Sequence, residues 1–277
     1  MKDKYNIIQE NPVHFTTDEA VHQAYLDDIA KYVGYFVENP YLRFGDSDSG
    51  HGVLFGKLDG YGDVAIKPFT ALGRARHEAE VLEHVKTKGF DALTPLGISS
   101  EGIYAHLVTE YRPGLKHLGQ VQWKVNVASP DLRNVIIPSL NFAGNFAGQL
   151  HSNGITHGDF QVKNVALRGD SPVVMDVENG QIRLSGNELH RKADADLATF
   201  AGSTIRRGIL WDRSLAYRLK TIEEHFIEPA LEPMDRLADP AYDRRAAIAE
   251  LIAKSLLSKE MVRRPSSRKA RKILKHK

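Results

Sequence analysis

The sequence predicts an α+β fold in two lobes: a small antiparallel sheet with one inserted helix, then a mainly helical half. Strand-like segments concentrate between residues 41 and 111. One stretch of helical period, 72–87, interrupts them. From residue 129 onward the pattern turns to long helices broken by two short apolar strands. A chain of 277 residues is long enough for two such lobes with a sizeable core.

Residues 16–38 read as an amphipathic helix. Thr16 and Glu19 have capping-box spacing, Val21, Tyr25, Ile29, Val33 and Phe36 recur at helical intervals, and Asn39-Pro40 stops the run. The polar stretch 44–52 reads as a flexible turn, followed by strands at Val53-Leu54-Phe55 and Val64-Ala65-Ile66-Lys67. In 72–87, Ala75, Glu78, Leu82 and Val85 form one helical stripe. The apolar run 103–111 reads as a strand that Arg112-Pro113-Gly114 breaks. Ser129-Pro130-Asp131 has the composition of a helix start. That helix is expected to reach His151, kinked at Pro138, with Asn153-Gly154 ending it. Strands at 164–167 and 173–175 flank a Gly169-Asp170 turn, and helices follow near 192–210, 214–231 and 241–262.

The domain reading is an N-terminal helical extension (1–40), a sheet lobe (41–111), a helical lobe (112–258) and a basic tail (259–277). A hydrophobic share of 42% with 26% charged residues excludes global disorder. The absence of cysteine excludes disulfides, thiolate metal sites and a Cys nucleophile. No signal-peptide core and no apolar run near 18 residues is seen, so a cytoplasmic, non-membrane-spanning protein is expected. The net charge of +2 hides an asymmetry. Residues 259–277 hold nine basic residues and one acid, whereas the other 258 carry 28 basic and 34 acidic residues, a net of −6.

The segment from His157 to Asn164 reads H-x-D-x-x-x-x-N on a helix-to-strand loop, and Asp176 follows the strand Val173-Val174-Met175 twelve residues later. Upstream stand Val64-Ala65-Ile66-Lys67 and Glu78 in a helix. In this order the motifs resemble the protein-kinase-like superfamily, in its His-Gly-Asp branch of aminoglycoside and choline kinases, lipopolysaccharide kinases, RIO kinases and the KEOPS-complex kinase. The resemblance covers roughly residues 41–210 and implies an ATP- and Mg²⁺-dependent phosphotransferase, an atypical kinase acting on a hydroxyl. Phosphoryl transfer is mostly positioning and charge neutralisation, which accounts for these residue types. By resemblance Asp159 orients the acceptor hydroxyl and takes its proton, and His157 is structural. Asn164 and Asp176 offer oxygen ligands to Mg²⁺. Lys67 holds the α- and β-phosphates, with Glu78 its partner and Glu80 a second choice. Ser49, Gly50, His51 and Gly52 form the phosphate loop. The adenine meets backbone groups of Glu110 and Arg112, with Thr109 behind it.

Several positions depart from that pattern. Asp46 and Asp48 put carboxylates in the phosphate loop, where they repel a triphosphate unless a cation intervenes. Gly158 stands where typical eukaryotic protein kinases have Arg, and Gln161 where Ser/Thr kinases have Lys. Asp176-Val177-Glu178 replaces Asp-Phe-Gly, leaving Glu178 as a second metal ligand or a turn acid. The short interval to Asp196 leaves little room for a long activation segment. Asp196 itself is expected to accept backbone hydrogen bonds from the catalytic loop.

The favoured acceptor is a protein Ser/Thr, the chain's own Ser266 or Ser267 included. A small-molecule kinase of the aminoglycoside or choline type and a nucleotide-binding pseudokinase are the alternatives. The basic tail suits nucleic-acid phosphates, an anionic membrane surface, a phosphoacceptor role or plain solubility.

Overall fold

The computed structural model describes residues 13–14, 53–58, 62–101, 104–112, 114–119, 133–169, 171–206, 213–234 and 243–263. The expected helix 16–38, the turn 44–52, the helix start at 129–131 and the tail beyond 263 lie outside the described residues. The chain divides into two compact units. The first runs to Lys116 and takes in Ala166–Gly180; the second comprises His117–Val165 and the chain from Gln181.

The first unit is built on a five-stranded sheet, β1 (Val13–His14), β2 (Leu54–Leu58), β3 (Gly62–Phe69), β4 (Pro95–Glu101) and β5 (Tyr104–Glu110), in the order β1-β2-β3-β5-β4. Every pairing is antiparallel. The edge strand β1 falls within the stretch read from sequence as a helical extension. Strand β4 is absent from the sequence reading because Pro95, Gly97, Ser99 and Ser100 give it no apolar alternation. Its register shifts between Pro95 and Gly97, where a bulge accommodates the proline.

On β3 the register pairs Lys67 with Leu107 and Ala65 with Thr109, while Ile66 pairs with Val108. Directly opposed residues share a face, so Lys67, Ala65, Leu107 and Thr109 lie together on one side. Helix α1 (Leu72–Thr87) lies between β3 and β4 in the chain and buries Ala75, Glu78, Ala79, Val81, Leu82 and Val85. Full burial of each larger apolar side chain in that stripe stabilises by about 1.5–3 kcal/mol. Glu78 is the one charged member of the stripe, and its ion partner Lys67 is described below.

A second, three-stranded sheet has the order β6-β7-β8, from the two-residue β6 (Lys116–His117), β7 (Val165–Arg168) and β8 (Ser171–Val174). Although 166–180 belongs by sequence to the span expected as the helical lobe, β8 ends against the segment after α1. The Val174 amide donates to the Asp91 carbonyl (2.8 Å), and Leu93 donates to the Val174 carbonyl (3.2 Å). Those bonds group this hairpin with the first unit.

The second unit is helical: α2 (Arg133–Ser152), α3 (Gly186–Arg206), α4 (Leu215–Ile222), a π turn (Glu223–Ile227), α5 (Glu228–Leu231) and α6 (Arg244–Arg263). Pro138 sits inside α2. The end of α2 has the expected chemistry: Gly154 adopts φ +72°, and a Cβ there would meet the Leu184 carbonyl at 2.7 Å. The expected helix 214–231 is interrupted by the π turn. Ser214 caps its start by accepting from the Tyr217 amide. The core gathers Phe160, Phe200 and Phe226, with the last two rings stacked 4.1 Å apart. A fully buried ion pair joins α3 to α6, with Arg244 Nε donating to Asp194 Oδ1 at 2.9 Å. Among the described residues no helix is long and apolar enough to cross a membrane.

Candidate active site

In the first unit, Lys67 is the hub. Its Nζ donates to Glu78 Oε2 at 2.8 Å and to Asp176 Oδ1, and Glu178 Oε2 lies 3.5 Å away. Burial opposes the Lys67 charge, but the neighbouring Glu78 and Asp176 carboxylates outweigh it and raise its pKa. Lys67 is therefore a firmly charged ammonium, the form a polyphosphate needs. Glu78 is buried, so the pair is shielded from solvent screening on that side.

The loop after β8 is drawn to α1 by two contacts. Asp176 adopts φ +57°, a left-handed conformation that an Asp tolerates better than most residues. Arg74 is ion-paired with Glu178, and His77 Nε2 lies 2.6 Å from the Gly180 carbonyl. Glu178 is thus a partner of two cations here. Arg74, one turn before Glu78 in α1, is the second of these cations.

At the end of β5, Thr109 is buried and Glu110 is fixed by its side chain. The Thr94 amide donates to Glu110 Oε1 at 2.9 Å, and Arg112 Nε donates to the same atom at 2.9 Å. Burial pushes the Glu110 pKa up, but the Thr94 and Arg112 hydrogen bonds prevail and hold it below the usual carboxylate range. Arg112 also donates to the Ala92 carbonyl at 2.9 Å and to Asp91. These side chains brace the backbone that sequence reasoning assigns to adenine.

In the second unit, Asp159 is held by short neutral bonds. Gln161 Nε2 donates to Asp159 Oδ1 (2.6 Å), and Asn164 Nδ2 donates to Asp159 Oδ2 (2.9 Å) and to its carbonyl (2.9 Å). The Asn164 amide nitrogen is engaged by Asp159, and its amide oxygen is a hard donor. Asp196 accepts from the His157 amide (2.7 Å) and the Gly158 amide (2.9 Å), as the resemblance implies. His151 Nε2 lies 3.2 Å from Asp196 Oδ2. Gly158 adopts φ +78°, which explains a glycine at the position between His157 and Asp159.

Taken unit by unit, the donors have the chemistry that a polyphosphate and a divalent cation call for. In the first unit Lys67 supplies a fixed positive charge and Asp176 a carboxylate, and in the second unit Asn164 offers an amide oxygen; both oxygens are hard donors. Among the described residues there is no group of three or more His, Cys, Asp or Glu that could hold a metal ion by itself. Ser49, Gly50, His51 and Gly52 lie outside the described residues. Sequence reasoning missed the Arg74–Glu178 pair, His77 and the Gln161–Asp159 bond. Only the last has a local signal, an amide two residues from the acid.

The family model described as the lipopolysaccharide kinase (Kdo/WaaP) family matches residues 63–212, more than half of the chain. That span holds Lys67, Glu78, Asp159, Asn164 and Asp176. Among solved structures, "WaaP in complex with acyl carrier protein" shares the fold with a TM-score of 0.51 and 17% identity. The match covers 78% of this chain and 88% of that one. No curated protein matches the chain in sequence.

Proposed function

We propose that this chain, which belongs to the lipopolysaccharide kinase (Kdo/WaaP) family and is an atypical kinase, transfers the γ-phosphate of ATP to a sugar hydroxyl of a lipopolysaccharide-type glycolipid. The family match across 63–212 is the observation that carries the acceptor class. In this reading Asp159 orients the acceptor hydroxyl and takes its proton as the new oxygen–phosphorus bond forms. The bond from the γ-phosphorus to the β-bridging oxygen breaks, and ADP leaves. Gln161 and Asn164 hold the Asp159 carboxylate in place. Lys67, kept in position by Glu78, binds the α- and β-phosphates. Ser49, Gly50, His51 and Gly52 cover the phosphates with backbone amides, and backbone groups of Glu110 and Arg112 receive the adenine. Asn164 and Asp176 would hold Mg²⁺, which would supply charge neutralisation at the phosphates.

The test is transfer of label from [γ-³²P]ATP with Mg²⁺ to dephosphorylated lipopolysaccharide core, set beside a mixture of small hydroxyl compounds and the protein alone. Label on the sugar that is lost with Asp159→Ala supports the reading. Label on the protein itself would move the acceptor to Ser/Thr, the class the sequence favours. Nucleotide binding without transfer to any acceptor would overturn it.

A further inference from the structure

We propose that Ser203, on helix α3, is a positioning residue for Asp159, acting through the backbone amide of Val162. The inference rests on the role given to Asp159 above and adds a residue that neither the motif nor the family resemblance assigns.

Its basis is a stripe on α3. Asp196, Phe200 and Ser203 stand at i, i+4 and i+7, one face of a helix. All three are buried, and all three engage the catalytic loop. Asp196 accepts from the amides of His157 and Gly158, just before Asp159. The Phe200 ring lies 5.5 Å from that of Phe160, just after it. Ser203 Oγ accepts from the Val162 amide at 3.1 Å. The loop is thus held on one side of Asp159 by a carboxylate and on the other by a hydroxyl, with an aromatic contact between.

The hydroxyl has a fixed orientation. Ser203 Oγ donates to the Phe200 carbonyl at 2.8 Å, the ordinary back-bond of a helical serine, so its lone pairs face outward from the helix. Val162 opens the 3₁₀ turn Val162–Asn164, and the first amides of such a turn have no partner inside it. Val162 is completely buried, so its N–H has no water to fall back on. The turn carries Asn164, whose amide nitrogen holds the Asp159 carboxylate, and follows Gln161, which holds its other oxygen. A displacement of Val162 therefore moves both side chains that orient Asp159.

The alternative is that Ser203 only stabilises the fold. Turnover of ATP with Mg²⁺, with and without the lipopolysaccharide core, separates the two. In Ser203→Ala, kcat is expected to fall about tenfold, the size of one net hydrogen bond, with KM for ATP unchanged. Ser203→Cys keeps the volume with a weak acceptor and should track the alanine variant; it carries the test if Ser203→Ala folds poorly. Ile252→Ala, a cavity in α6, serves as a control that lowers Tm but leaves kcat within twofold. The decisive arm replaces the Val162 amide by an ester, which removes the N–H that Ser203 accepts and also weakens the Gln161 carbonyl as acceptor of the Asn164 amide, a change common to both members of the comparison. In that background Ser203→Ala should cost nothing further. An equal loss in both backgrounds, or a kcat of wild-type size in Ser203→Ala and Ser203→Cys, overturns the proposal. Asp159→Ala run alongside distinguishes the failures. If it turns over like wild type, the role of Asp159 falls and the inference with it. If it is inactive while the Ser203 variants are normal, the inference alone falls.

Discussion

The two clusters hold their functional groups by different physics. In the first unit, charges hold charges: Lys67 is surrounded by Glu78, Asp176 and Glu178, and Glu178 is shared with Arg74. In the second, neutral donors and backbone amides do the holding: Gln161 and Asn164 on Asp159, the amides of 157 and 158 on Asp196. Ion pairs tolerate exchange, since a phosphate or a cation replaces a carboxylate or an ammonium at little cost in geometry. A neutral network aimed at one carboxylate has no such substitute and fixes its position. On the proposed function, the first cluster trades partners when a charged ligand arrives, and the second stays still.

The largest break in that contrast is Asp159→Asn. It keeps the shape but lacks the base, and kcat for transfer should fall about 10³-fold, with the ATP dissociation constant unchanged by calorimetry. A loss of ATP affinity instead would place Asp159 among the ligand-trading groups.

The next largest effect is on stability and belongs to the first unit. His106 in β5 is buried, and that burial lowers its pKa from 6.5 to about 4. The unfolded chain protonates this histidine before the folded one does. Its contribution is therefore intact above about pH 6.5 and drains away as the pH falls toward 4, by about 3 kcal/mol. Denaturant midpoints between pH 6.5 and 4.5 should show this slope, and His106→Phe should flatten it. Glu110 adds acid sensitivity of the same sign in a lower window, below its ordinary pKa of 4.5.

Lys67→Met should lower kcat/KM for ATP about 10²-fold, the scale of removing one preorganised cation. If the first cluster trades partners by charge, raised salt should weaken ATP binding by the wild type more than by this variant. An equal salt dependence would sink that account.

Gly158→Ala forces a side chain into φ +78° and should cost about 1–2 kcal/mol in Tm-derived stability, with a fall in kcat. Arg245→Ala should matter least. The Arg245–Glu228 pair is half-exposed on both sides, and its loss should change stability by under about 1 kcal/mol.

Much of both clusters is legible in the sequence where the chemistry is local. The spacing of Asp159, Gln161 and Asn164 within six residues builds its own turn, so the motif carries its geometry with it. The stripe Ala75, Glu78, Leu82 and Val85 is read directly from helical period, and α1 spans the expected 72–87. Strand β4 escaped because its Pro, Gly and Ser residues carry no period, and its place is set by hydrogen bonds to β5.

Sequence by itself determined the buried stripe of α1, the local loop that presents Asp159, and the residue types that suit a phosphate and a hard cation. These depend on neighbours a few positions apart, where periodicity and turn chemistry act. Tertiary structure alone decided which carboxylates surround Lys67, that Arg74 pairs with Glu178, and that a serine 41 residues away completes the Val162 hydrogen bond. Such pairs are fixed by where β8 ends and which face α1 and α3 present. No pattern of nearby residues encodes a contact between groups separated by 104 or 109 positions.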